Sequence, residues 1–398
     1  MWILIKNAKI YAPASLEETD VLVVGDRIAA LGQGLTLPSY IVGEVIDLQG
    51  QTLVPGFIDA HVHITGGGGE AGPSTRTPEI QLSQLTRAGT TTVVGLLGTD
   101  AVSRSMAALL AKAQALEDEG ITTYVYSGAY QVPTLTLMPT LREDLALIPK
   151  VIGAGEIAIS DHRSAQPQIT ELEHLAAEAR VGGMLGGKAG VVHLHLGEGK
   201  HGLDPVLTIL NQTEIPVTQF MPTHMNRTHA LLEQGVDFLK AGGHVDLTAG
   251  CDDFPADLQV PAVLKMLLKR NILTSQVTVT SDGNGSMPQF NDSGVLVGMG
   301  VGSVEVLWRD VREAVVYHGV PLETALRTVT SNAATFLHLP SKGMIRVGYD
   351  ADLVALNGDL QVEHVWAKGK KMVQGGQPVV FGTFEHKIQQ VPNTLNSL

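Results

Sequence analysis

One cysteine, Cys251, stands in 398 residues, so no internal disulfide can form and a reducing, cytoplasmic compartment is expected. Basic residues are also few: Lys and Arg total 27 against 40 Asp and Glu, a net charge of -13. That deficit argues against nucleic acid or an anionic membrane as the main partner, but leaves room for a local basic pocket facing an anionic substrate. Long apolar runs are missing. The stretch 295–301 is broken by glycines and is too short to cross a bilayer. Residues 1–10 lack the layout of a signal peptide and read better as a strand. There is no low-complexity segment and no repeat shorter than a strand–helix unit. Two catalytic patterns are absent as well. Gly283-Asn284-Gly285-Ser286 is not a Gly-x-Ser-x-Gly nucleophile elbow, and no Lys-Ser/Thr follows Gly66-Gly67-Gly68-Gly69 to make a phosphate loop. The four glycines are read as a flexible turn.

What is present is a chain with 44% hydrophobic and 17% charged residues, long enough for one large domain and a smaller one. Residues 1–53 hold short apolar runs at 3–5, 21–24 and 28–31, separated by Pro, Gly and Asp. From 54 to 344, short β-branched runs alternate with helical patterns such as 103–119, 169–180 and 205–211. Strands return in 345–398, at 352–356 and 362–367. The two terminal segments are expected to join as one small β-sandwich domain. The middle offers eight strands, at 57–64, 91–97, 122–130, 152–159, 191–197, 217–225, 243–250 and 277–284. Eight strands alternating with helices predict an α/β fold, a (β/α)8 TIM-like barrel, with a doubly wound open sheet as the alternative. A barrel gathers the C-terminal ends of all its strands at one mouth.

The run Val54-Pro55-Gly56-Phe57-Ile58-Asp59-Ala60-His61-Val62-His63 carries the strongest chemical signal. Alternate residues of a strand share a face, so His61 and His63 project together from the strand's end. Two neutral imidazoles held that way make half of a divalent metal site. Glu156 lies inside an apolar strand, where a carboxylate is costly unless it is paired or bound to metal. A buried salt bridge is the competing explanation. The fifth strand repeats His-x-His; His195 is nearer the mouth and is the expected ligand, while His193 is read as an inward, hydrogen-bonded core residue. The sixth strand ends at His224 and the eighth at Asp282. Each alone is a weak signal, since an isolated histidine is more often structural. Together, four histidines and two carboxylates suit one or two borderline divalent ions, with zinc leading. Two ions about 3.5–4 Å apart can share a hydroxide, and a bound water's pKa falls to about 7. Asp282 could then bind metal, take the water proton and pass it to a leaving amine.

These motifs resemble the amidohydrolase superfamily across nearly the whole chain, through Pro55-Gly56-Phe57-Ile58-Asp59-Ala60-His61-Val62-His63, the later strand-end histidines, Ser281-Asp282 and Gly348-Tyr349-Asp350-Ala351-Asp352. More specific blocks are similar to its isoaspartyl dipeptidase family. They are Gly66–Pro73 with Thr75–Glu79, Gly95–Asp100, Ser160–Ser164, Pro222–Arg227 and Ser281–Ser286, in the same order. The resemblance implies hydrolysis of β-aspartyl dipeptides by a homo-oligomer with two zinc ions per chain. It implies that His61 and His63 bind the more buried ion, and His195 and His224 the other, with Asp282 as base and ligand. Glu70 would hold the substrate's α-amino group; Thr99 and the glycine loop would help hold its α-carboxylate, and Ser286 would line the same pocket. Arg163 and Arg227 would clamp the leaving residue's carboxylate, and Tyr130 would polarise the scissile carbonyl. For the arginines the competing explanation is a surface salt bridge, for Tyr130 a packed core aromatic, and for Glu70 a solvated loop charge.

One position departs from the family pattern, which has a lysine, carboxylated by CO2 to bridge both metals, where Glu156 stands. Glutamate ends in a carboxylate without needing CO2, on a shorter stem. Three outcomes stay open: Glu156 bridges two ions, binds only one, or marks a substitution that weakens activity. Two other functions also remain, a cyclic-amide hydrolase similar to dihydroorotase or hydantoinase, and a metal-poor scaffold.

Overall fold

A computed structural model describes residues 1–272, 274–290 and 296–385. The eight expected central strands are all there: β1 (Phe57–Val62), β2 (Thr90–Gly95), β3 (Thr122–Ser127), β4 (Val151–Ile159), β5 (Val191–Leu196), β6 (Phe220–Thr223), β7 (Val245–Thr248) and β8 (Val277–Thr280). β1 to β6 pair in chain order as one parallel sheet, and β7 pairs in parallel with β8. Two junctions complete the ring. The Met225 N–H donates to the Asp246 carbonyl, 3.3 Å, beyond β6. A parallel bridge joins Val62 to Gly283, where the His63 N–H donates to the Gly283 carbonyl at 2.9 Å. The sheet is therefore a closed barrel, which removes its edges and excludes the open-sheet alternative.

Element ends differ from the expected ones for local reasons. The helix Met106–Glu119 starts after 103 because the Ser105 hydroxyl caps it, accepting from the Ala108 N–H at 3.2 Å. The helix Ile169–Gly186 runs past 180 because its glycines let it press on its neighbours. A Cβ on Gly183 would stand 2.5 Å from the Gly190 Cα. β6 is shorter than 217–225: Val217–Gln219 forms a 3-10 turn, and His224 leaves the strand with a φ of 61°.

The terminal segments meet in one nine-stranded sheet. Its seam is Thr52–Pro55 against Leu353–Leu356, antiparallel, with Leu53 opposite Ala355. Ile3, Ile5, Ile10, Val21, Leu53, Leu353 and Trp366 form its buried apolar core. A hairpin of Ser286–Phe290 and Leu296–Val301 follows β8. Val295, the first residue of the glycine-broken apolar stretch, and residues 386–398 lie outside the described residues. No helix among the described residues is long and apolar enough to cross a membrane.

A buried cation ties the terminal sheet to the barrel. Lys342 is 6% exposed. Its ammonium donates to the Thr122 hydroxyl at the start of β3 and to the Asp352 carboxylate beside Leu353, each 2.6 Å, and pairs with Asp350 at 2.6 Å. Removing one partner of a buried pair leaves the other uncompensated. Lys342→Ala should therefore destabilise the fold by about 3–5 kcal/mol, read as a lower midpoint in denaturant melts. An unchanged midpoint would show that water already screens the two aspartates.

Candidate metal centre and substrate pocket

The barrel brings the expected ligands together at its mouth. His61 comes from β1 and His63 lies just past its end; Glu156 comes from β4 and His195 from β5. The pairing of β4 with β5 slips between Val192 and Leu194, so β4 carries a bulge at Gly155-Glu156. A bulge re-aims the side chain beside it. Gly155 has a φ of 154°, and a Cβ there would lie 2.9 Å from the His193 Cβ, so glycine fits this place and a larger residue does not. His224 follows β6 directly and Asp282 lies two residues past β8, with φ of 61° and 49°. Such left-handed non-glycine residues cost about 1–3 kcal/mol each and persist where their surroundings fix them.

The distances are those of a cluster of donors. His61 Nε2 is 3.5 Å from Glu156 Oε2 and 3.2 Å from Asp282 Oδ1. His63 Nε2 is 3.2 Å from the same Asp282 oxygen. His195 Nδ1 is 2.6 Å and His224 Nε2 3.5 Å from Glu156 Oε1. Three sets each have their donor atoms within 4.8 Å of one another: His61, His63 and Glu156; His61, His224 and Asp282; Glu156, His195 and His224. Glu156 Oε2 is buried with no hydrogen-bond partner, and His61 and His63 both turn Nε2 toward the same Asp282 oxygen. Carboxylate and imidazole atoms gathered in this way fit a divalent metal ion.

The electrostatics point the same way. Burial opposes charge on Glu156, but the positive field of His61 and His195, with hydrogen bonds from His195 and His224, holds it well below the usual carboxylate range. Asp282 is likewise held low against burial by His61 and by bonds from His61 and His63. Burial disfavours protonated His61, yet the carboxylates of Glu156 and Asp282 raise its pKa to about 9. Burial, and then Arg227, lower His224 to about 3, so its ring is neutral and can donate a lone pair. Two adjacent anions, one of them fully buried, demand positive charge here, which protons on the rings or a metal ion would supply.

Second partners orient the rings. His61 Nδ1 bonds His193 Nε2 at 2.8 Å, deep in the barrel. His224 Nδ1 bonds the Thr248 hydroxyl at 2.7 Å. Asp59 accepts from the Ser281 hydroxyl at 2.5 Å, fixing the turn that presents Asp282.

Above the cluster opens a cavity of about 450 Å³. It is lined by ten of the twelve expected residues, with His61 and Glu156 beneath. On one wall, Glu70 accepts from the Thr99 hydroxyl at 2.9 Å and from the Ser286 hydroxyl at 3.5 Å. Opposite, Arg227 donates to the Leu196 carbonyl at 2.6 Å. Arg163 lies between, with Nη1 3.6 Å from Glu70 and its guanidinium 5.4 Å from the Tyr130 ring centre. The Tyr130 hydroxyl is 2.9 Å from His195 Nδ1. Burial, and then the Glu156 charge, push its pKa well up, so it remains a phenol and a donor.

The glycine loop is anchored where a free turn was expected. The Thr77 hydroxyl accepts from the Gly67 N–H and donates to the Asn284 carbonyl, each 2.7 Å. Arg104 donates to the Thr65 and Thr77 carbonyls at 3.1 and 3.0 Å. A Cβ on Gly68 would stand 2.5 Å from the Thr75 carbonyl, so its glycine serves close approach as well as its φ of 74°. Three contributors were given no role in the sequence. Thr248 carries no pattern of its own, whereas Ser281 and Asp161, 2.9 Å from His195 Nε2, stand within blocks that carry the family resemblance.

Fold and site define a barrel hydrolase whose mouth gathers donors able to hold a metal ion, and the chain belongs to the amidohydrolase family, whose model matches residues 52–372. It is similar to the beta-aspartyl dipeptidase of Fervidobacterium islandicum AW-1, solved in complex with beta-Asp-Leu dipeptide. Identity is 42%, covering 95% of this chain and 98% of that one, with a TM-score of 0.88. A dihydroorotase of Staphylococcus epidermidis is 39% identical over 90 residues, 23% of this chain and 20% of that protein. An allantoinase of Enterococcus faecalis is 26% identical over 423 residues, 89% of this chain and 86% of that protein.

Partners that orient a ligand histidine typically contribute about 10–100-fold in metal affinity. Thr248→Val, which keeps the shape and removes the bond to His224, should weaken zinc binding by about that factor in chelator competition. Unchanged affinity would show that His224 is held by packing alone.

Proposed function

We propose that this protein hydrolyses the isopeptide bond of β-aspartyl dipeptides, with a divalent metal, zinc first, held by His61, His63, Glu156, His195, His224 and Asp282. The observation that carries the reading is one cavity that holds a carboxylate, Glu70, and two guanidinium groups, Arg163 and Arg227, over a cluster of donors able to hold a metal. A dipeptide zwitterion has an ammonium at one end and a carboxylate at the other, which such groups would hold. The likeness to a dipeptidase that binds β-Asp-Leu supports the same choice.

Glu70 would accept from the substrate's α-ammonium, with Thr99 and the glycine loop holding its α-carboxylate and Ser286 lining the pocket. Arg163 and Arg227 would clamp the carboxylate of the leaving residue through their charged guanidinium donors. Tyr130 would donate to the scissile carbonyl oxygen as it gains charge. The metal, when bound, supplies a water acidic enough to be a nucleophile at neutral pH. Asp282 would take a proton as the water oxygen adds to the carbonyl carbon, and return it to the nitrogen as the C–N bond breaks. The products are aspartate and a free amino acid.

In this reading Glu156 replaces the family's carboxylated lysine as a bridge. Its support is that Glu156 belongs both to the group with His61 and His63 and to the group with His195 and His224. The lone cysteine and the family resemblance support a cytoplasmic homo-oligomer.

Zinc-loaded protein should cleave β-Asp-Leu, leave dihydroorotate intact and show two zinc ions per chain by elemental analysis. One ion per chain with turnover would remove the bridge and keep the function. Full occupancy without turnover would sink the dipeptidase reading in favour of cyclic amides. Added bicarbonate should not raise the rate. Tyr130→Phe should lower kcat by about 10²–10³-fold with metal content unchanged, the usual loss when one oxyanion donor is removed.

A further inference from the structure

Asp161 has no part in the reaction just described, yet it is buried at the mouth and both its carboxylate oxygens are engaged. It lies in the turn after β4, with its side chain 5% exposed. One carboxylate oxygen accepts from Arg163 Nε at 3.0 Å and from the Arg163 backbone N–H at 2.7 Å. The other accepts from Arg163 Nη2 at 2.8 Å and stands 2.9 Å from His195 Nε2. Gly197, two residues past His195, makes room for it: a Cβ there would meet the Asp161 Cβ at 2.5 Å. Gln166 donates to the Asp161 carbonyl at 2.8 Å and closes the turn.

His195 Nε2 is surrounded by donors. Arg163 Nη2 and Arg227 Nη1 each lie 3.3 Å away. A guanidinium only donates, so among these three neighbours Asp161 is the acceptor, and a hydrogen on Nε2 goes to it. Nδ1 stands 2.6 Å from the Glu156 carboxylate, so a neutral ring donates to one carboxylate or the other; with Nε2–H on Asp161, Nδ1 keeps its lone pair for a metal held with Glu156. The same carboxylate grips the Arg163 fork along one edge and leaves Nη1 free towards Glu70.

We propose that Asp161 is a positioning residue that fixes His195 as an Nδ1 metal ligand and aims Arg163 at the substrate's terminal carboxylate, coupling metal binding to recognition of the leaving residue. The second half rests on the dipeptidase reading; the first does not. Without the carboxylate, His195 Nε2 would face two guanidinium groups with only the Tyr130 hydroxyl, 3.4 Å away, as an acceptor, and Arg163 would lose its only bidentate partner among the described residues.

The test compares Asp161→Asn and Arg163→Met with the parent. Both variants are first checked by thermal melts in the metal-free form, so that misfolding is not read as lost affinity. Zinc affinity is measured by chelator competition, without substrate. Asp161→Asn should weaken it by about 10–100-fold, and Arg163→Met should leave it within about twofold, below the scale expected for a lost orienting bond. The second readout is the KM for β-Asp-Leu against that for its C-terminal amide, which lacks the terminal carboxylate. Both variants should raise the first KM and leave the second unchanged, so the preference for the free carboxylate falls. Asp161→Asn with parental zinc affinity would overturn the proposal, as would a retained preference for the carboxylate. A parent protein that cleaves neither substrate defeats the dipeptidase reading and with it the coupling, while the zinc measurement still decides whether Asp161 orients His195.

Discussion

The mouth of the barrel is organised around a buried carboxylate, Glu156, which is 1% exposed, and a second, Asp282, whose side chain is 33% exposed and which faces the same histidine, His61. Desolvating a carboxylate such as Glu156 costs several kcal/mol unless positive charge meets it. No lysine or arginine touches Glu156 among the described residues; its neighbours are imidazoles. A neutral imidazole offers a lone pair, not a charge, so the arrangement is balanced by protons on the rings or by a cation between them. The rest of the site follows from keeping those rings in register.

That register is kept by a second layer of side chains. His61 leans on His193, His224 on Thr248 and His195 on Asp161, each through the ring nitrogen turned away from the carboxylates. An imidazole with one nitrogen committed has its tautomer and plane decided, and its other nitrogen aimed. Beneath them Asp246 is held by the hydroxyls of Thr223, Thr278 and Thr280 at 2.6, 2.6 and 2.7 Å, and burial raises its pKa. The interior is thus polar near the mouth, and the apolar contacts that stabilise the fold lie mainly outside the strands, against the helices. Stability and chemistry are separated by the alternation of side chains along each strand.

Much of this was legible from the sequence because strands and barrel mouths have simple periodicities. His61 and His63 are two apart, so one face carries both; the later candidates each closed an apolar run. The eight runs themselves were readable, and their order in space followed the chain. Other features depend on contacts between distant residues and leave no local trace. Nothing in the neighbourhood of Thr248 shows that it will meet His224. Lys342 stands in a polar stretch that reads as loop, yet it is buried between Thr122 and Asp352. The glycines at 66–69 looked permissive, whereas Thr77 and Arg104 anchor them from later in the chain. Composition marks a turn, but only tertiary structure says whether the turn is held.

On the proposed reading, Glu156 stands where a longer, carboxylated lysine would otherwise supply the bridge. β4 bulges at Gly155-Glu156, and glycine fits at 155 because a Cβ there would collide with His193. His195 then approaches Glu156 to 2.6 Å while His61 and His224 remain at 3.5 Å. The carboxylate is drawn towards the β5 side of the mouth, where Asp161 fixes the histidine that meets it. On the proposed reading, the shorter stem is accommodated by how firmly His195 is held, which ties the choice of glutamate at 156 to the aspartate at 161.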